Sequence, residues 1–136
     1  MRELKRIIVH CSATPPSMDI GAETIRRWHL ERGFSDIGYH FVIWRDGYIE
    51  PGRPIEKIGA HARGHNSDSI GICLVGGVTE DNKPEFNYTC KQMGALCELI
   101  NALVEDFDID QVLGHRDLPG VTKACPSFNA IAFFGS

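Results

Sequence analysis

The sequence predicts an α/β fold, a single mixed β-sheet packed by helices. Three observations carry that expectation. Short β-branched runs of strand length recur along the chain, two intervening segments show the three- and four-residue apolar spacing of helices, and the two kinds alternate. With 136 residues, 43% apolar and 24% charged, the chain suits one domain spanning 1–136 and has enough apolar mass for a core without disulfide staples.

"KRIIVHCSAT" predicts a buried strand, closed by the turn-forming Pro15-Pro16. "GAETIRRWHLERG" predicts a helix with Ile25, Trp28 and His29 on one face and Gly33 as its stop. "YHFVIWRDGYIEPGR" reads as two extended arms around Asp46-Gly47, a strong hairpin signal. "SIGICLVGG" is a further apolar strand. In "TCKQMGALCELINALVEDF", Thr89 and Gln92 form a capping box ahead of Met93, Leu96, Cys97, Ile100, Leu103, Val104 and Phe107 at helical spacing. "QVLGH" is a last strand delivering His115, and a short helix is expected after Pro126.

Composition excludes several classes. A formal net charge of -4 with no dense Lys/Arg block argues against a nucleic-acid partner. No apolar run approaches a membrane span, so no membrane role is expected. Five cysteines without a C-x-x-C pair do not form a disulfide framework. Cys73, Cys90 and Cys97 read as small buried apolar groups, and Cys11 as facing away from His10. The apolar run Ile7 to Val9 is too short for a signal peptide, so cytoplasmic synthesis is expected.

The chemistry-bearing stretch is "GHRDLPGVTKACPS", residues 114–127. His10 and His115 both fall at C-terminal ends of predicted strands, the edge where α/β sheets build sites. Cys125 follows in a loop able to fold back over that edge. Two imidazoles and a thiolate form a set that zinc accepts, with a fourth position open for water. On residue types alone, packed or surface histidines remain an alternative, as does a Cys125–His115 nucleophile pair. Asp117 either bonds a ligand imidazole or caps its turn. His40 reads as core or support for a ligand, His65 as surface loop, and His29 as a helix-face residue.

Four blocks in order, "VHCSAT", "GYHFVIWRDG", "GAHARGHNSDSIGICLVGG" and "GHRDLPGVTKACPSF", resemble the zinc-dependent N-acetylmuramoyl-L-alanine amidases, in particular the phage amidase endolysins. Peptidoglycan-recognition proteins are more distant relatives. The resemblance runs from about residue 6 to 128. It implies a peptidoglycan amidase-like fold, one zinc per chain held by His10, His115 and Cys125, and catalytic roles for Tyr39 and Lys123. It implies a substrate groove lined by His61 and Asn66. The implied reaction cleaves the amide between the lactyl group of N-acetylmuramic acid and L-alanine in bacterial peptidoglycan. A phage or prophage lysis role on the wall, after release or export, and a monomer are expected; a non-catalytic peptidoglycan-binding protein on the same fold is the alternative. The loop carrying "DLPGV" is longer than the closest phage relatives suggest.

Overall fold

The structure, a computed structural model, describes residues 2–134; positions 1, 135 and 136 of the expected domain lie outside the described residues. The strands are β1 (Arg6–Cys11), β2 (Phe41–Ile43), β3 (Ile49–Pro51), β4 (Ser69–Leu74) and β5 (Gln111–Gly114). The α-helices are α1 (Ala22–Glu31), α2 (Cys90–Asp106) and α3 (Ala130–Phe134). The sheet order is β3-β2-β4-β1-β5, with β3 antiparallel to β2 and every other pairing parallel. This is the expected mixed α/β sheet.

Parallel strands are covered on both faces, and the burial of β1 and β4 follows. On one face Ile7, Val9 and Cys11 of β1 and Ile70, Ile72 and Leu74 of β4 pack against Leu96, Ile100 and Leu103 of α2. The other face is split. Val42 and Cys73 pack on Ala22 and Ile25 of α1, and Ile8 packs on Ala62 and Leu118. Leu118 thus anchors the long "DLPGV" loop to the sheet. Because β1 alternates, His10 emerges on this second face beside Ile8, while Cys11 points to the first face, away from His10 as expected but with its thiol hydrogen-bonded to that of Cys125.

Local chemistry explains the elements. Thr89 Oγ1 accepts the Gln92 N–H at 3.0 Å and Gln92 Oε1 accepts the Thr89 N–H at 2.9 Å, the predicted capping box, which stabilises α2 by about 1 kcal/mol. The β2–β3 hairpin closes through a turn in which the Gly47 N–H donates to the Trp44 carbonyl and Gly47 takes φ +91°. That is a three-residue loop, with glycine at its left-handed position. Helix α1 has no side-chain cap of its own. Glu50 of β3 supplies one, Oε1 accepting the Ala22 N–H at 2.7 Å and the Trp44 Nε1–H at 2.8 Å.

Two expectations about packing are corrected. Cys90 and Cys97 are exposed, as is Val104. The sheet covers the narrow stripe Leu96, Ile100 and Leu103, and Cys97 and Val104 sit one residue past it on the helix surface. The first strand is also shorter than "KRIIVHCSAT", because Ala13 adopts φ 55° and only Thr14 returns to bridge Gly77.

Candidate metal centre

Register brings the two histidines together. Val9 of β1 lies opposite Gly114 of β5 in parallel pairing, so the next residues, His10 and His115, leave the sheet side by side with ring centroids 4.5 Å apart. His115 stands one residue beyond β5, at the start of the 3-10 turn His115–Asp117. Asp117 makes that turn, its Oδ2 accepting the Gly114 N–H at 2.8 Å, which decides its role in favour of the cap. Cys125 is drawn back over the same edge. Its carbonyl accepts the Arg116 N–H at 2.7 Å, the Tyr88 hydroxyl donates to the Pro126 carbonyl, and the Ser127 hydroxyl donates to the Gly77 carbonyl at 2.8 Å. The Cys125 Sγ then accepts the Cys11 N–H at 3.1 Å.

One donor atom each from His10, His115 and Cys125 lies within 4.8 Å of the other two. The electrostatics suit a cation. Burial pushes the His10 imidazole well below its usual range, with His61 and His115 adding to it, and burial and Lys123 lower His115. Both rings are therefore neutral lone-pair donors near neutral pH. The hydrogen bond with the Cys11 side-chain thiol and then burial push the Cys125 thiol up, outweighing the Cys11 N–H that favours the thiolate, so this sulfur is a thiol at neutral pH unless a cation binds it. Two neutral imidazoles and one thiol, without a carboxylate in the set, fit a borderline divalent ion rather than calcium or magnesium.

The ligand candidates open onto a cleft of about 680 Å³ lined also by Tyr39, His61, Asn66, Lys123, His29 and Arg32. Tyr39 precedes β2, where the Arg53 N–H donates to its carbonyl at 2.9 Å, and its ring centroid lies 5.1 Å from that of His10. Burial raises the Tyr39 phenol well above its usual range, so it is a neutral hydroxyl. Lys123 is exposed at the cleft wall, two residues before Cys125. Asn66 lines the cleft but spends its side-chain oxygen on the loop, accepting the His61 N–H at 3.0 Å and the Ala62 N–H at 2.9 Å. His61 is buried, with Nδ1 2.8 Å from His10 Nε2. His40 lies beneath it, accepting the Gly71 N–H at Nδ1 (3.0 Å) and facing the Lys57 carbonyl at Nε2 (2.9 Å), in line with a supporting role.

Some contributors are not evident in the sequence. His29 is more than a helix-face residue: Nδ1 accepts the Gly38 N–H at 2.8 Å and the ring lines the cleft 5.4 Å from that of Tyr39. Arg53 ties the cleft loops together through the carbonyls of Ile37 (2.9 Å) and Ile58 (2.8 Å). His65, expected on the surface, is half-buried, and its carbonyl accepts the Ser69 hydroxyl at 2.7 Å. Their contacts run through loop backbone groups to partners between 4 and 16 residues away, and no local motif marks them.

Residues 1–128 match the family described as N-acetylmuramoyl-L-alanine amidase. The chain is 46% identical over 128 residues to the endolysin of Klebsiella phage KP32, covering 94% of this chain and 83% of that one. Among solved structures it is similar to the N-acetylmuramoyl-L-alanine amidase LysC from Clostridium intestinale, with a TM-score of 0.81 and 32% identity over 94% of this chain and 79% of that one. It is equally similar to wild-type Drosophila PGRP-LB, with a TM-score of 0.80 and 32% identity over 100% of this chain and 82% of that one.

Proposed function

This chain belongs to the N-acetylmuramoyl-L-alanine amidase family, and from that premise we propose that it is a zinc-dependent amidase cutting the bond between the muramic-acid lactyl group and L-alanine of bacterial peptidoglycan, in the manner of a phage endolysin. The observation carrying the metal reading is the convergence of His10, His115 and Cys125, from two adjacent strand ends and one returning loop, at the mouth of a cleft. These three residues would hold the ion. When bound, zinc supplies a Lewis acid that makes water nucleophilic near neutral pH.

The chain's own groups then carry the rest. Attack on an amide carbonyl gathers negative charge on oxygen, and the Lys123 ammonium at the cleft wall can share it, a contribution of ~3 kcal/mol or more in a partly dry site. Tyr39, held neutral by burial, can hold the attacking water or relay that water's proton towards the departing L-alanine nitrogen, taking up one proton as it gives one. Asn66 and the 61–66 loop form the wall against which a sugar-peptide strand would lie. Among the described residues no helix is long and apolar enough to cross a membrane.

A zinc-independent cysteine hydrolase fits less well. A nucleophilic cysteine needs a lowered thiol pKa, whereas that of Cys125 is raised. Release of dye-labelled fragments from purified peptidoglycan separates the two: a chelator should stop it and added zinc restore it. Release unaffected by chelator would replace the metal reading with the cysteine one.

A further inference from the structure

His10 ends a hydrogen-bonded line of three buried side chains. The Ser69 Oγ stands 2.7 Å from the His65 carbonyl and 3.2 Å from His61 Nε2. Beyond it, His61 Nδ1 stands 2.8 Å from His10 Nε2. All three residues are at least 91% buried, being 0%, 9% and 1% exposed in that order. The proton directions follow from one end. A carbonyl only accepts, so the single Ser69 proton goes to His65, and the hydroxyl oxygen is left to accept from His61. His61 Nε2 must then carry its proton, which leaves Nδ1 of the neutral ring as an acceptor. The His10 proton consequently sits on Nε2, and His10 Nδ1 is the nitrogen left with a free lone pair.

We propose that His61 and Ser69 are positioning residues that lock His10 in its Nε2–H tautomer and present His10 Nδ1 to a metal shared with His115 and Cys125. The inference rests on the proposed metal reading and gives His61 a task other than touching substrate. The packing is built for it. Ser69 and Gly71 lie on the same face of β4, and a β-carbon at Gly71 would stand 2.5 Å from His61 Cγ, so the strand leaves the imidazole its space. Asn66 fixes the His61 backbone from the other side. Partners of this kind set the orientation and basicity of a metal-binding imidazole, and their loss weakens metal affinity by roughly 10- to 100-fold.

Two isosteres separate positioning from bulk. His61→Asn places an amide oxygen near the former Nδ1, where it can accept from His10. His61→Gln places its amide near the former Nε2, where it reaches Ser69 and leaves His10 unpaired. Zinc affinity, measured by competition with a chromogenic chelator, should stay within a few-fold of wild type in His61→Asn and fall about 10- to 100-fold in His61→Gln. Equal affinities in the two variants would overturn the proposal. Imidazole nitrogen chemical shifts of the metal-free wild-type protein test the tautomer without any variant. His10 should show a protonated Nε2 and an unprotonated Nδ1, and the opposite tautomer would overturn the proposal even in a protein that binds zinc well. A wild-type protein that takes up no zinc would instead overturn the metal reading, while the nitrogen shifts still decide the tautomer.

Discussion

Replacing Gly71 by alanine tests whether the imidazoles behind the site are as tightly seated as the distances imply. A β-carbon there meets His61 Cγ at 2.5 Å, Cδ2 at 2.6 Å and Nδ1 at 2.8 Å. Ordinary contact begins at 3.4 Å, so the ring must retreat by about 0.9 Å. It cannot do so freely, because it is held at 2.8 Å from His10 and 3.2 Å from Ser69, and a shift of that size carries one of those contacts out of hydrogen-bond range. Overpacking costs about 1 to 3 kcal/mol and a buried group left without its partner another 1 to 3, giving about 2 to 6 kcal/mol together. Losing a strand glycine returns about 0.5 to 1 kcal/mol, so for a chain of this length Tm still falls by at least roughly 3 °C, readable by calorimetry. Gly94→Ala is the matched control. Gly94 lies on the exposed side of α2 with nothing within 4 Å of an added β-carbon, so the substitution should stabilise by about 0.5 to 1 kcal/mol. A Gly71→Ala protein melting within about 2 °C of wild type would refute the reasoning, since the gain from losing a glycine offsets only part of the expected cost.

Three further outcomes are expected. Cys125→Ser should abolish amidase activity and lower zinc content at equal protein concentration; a fully active variant would remove Cys125 from the ligand set. Lys123→Ala should lower turnover on the order of 10²-fold while zinc content stays near that of wild type, and loss of zinc would mean that the lysine acts through the metal site. Stability should fall on acidification. Burial chiefly holds His29 and His40 at about 4, against 6.5 in the unfolded chain, so between those values the unfolded state binds more protons and is favoured as pH drops. The urea midpoint at about pH 5 should therefore lie below that at about pH 7, and equal midpoints would contradict the buried neutral state of these rings.

Much of the site was legible in the sequence because it is made at strand ends. His10 and His115 each close an apolar run, and parallel pairing of those runs is enough to put them side by side. The capping box at Thr89 was equally legible, being a contact over three residues. What the sequence hides depends on partners far along the chain. Periodicity marks Cys97 and Val104 as belonging to the apolar side of α2, yet it does not say how wide a stripe the sheet covers. The cap of α1 comes from Glu50, on a strand that nothing local connects to Ala22. The line from Ser69 through His61 to His10 spans β4, a loop and β1, and exists because Gly71 carries no side chain.

The central claim is amide cleavage at a metal held by His10, His115 and Cys125. Mass spectrometry of purified peptidoglycan digested by the protein, with and without chelator and re-added zinc, tests it most directly. The account predicts free L-alanine amino termini and intact muramic-acid lactyl carboxylates that appear only in the zinc-loaded digests. Peptidoglycan that stays uncut by the zinc-loaded protein, while still pulling it down, would contradict catalysis and leave a binding protein on the same fold.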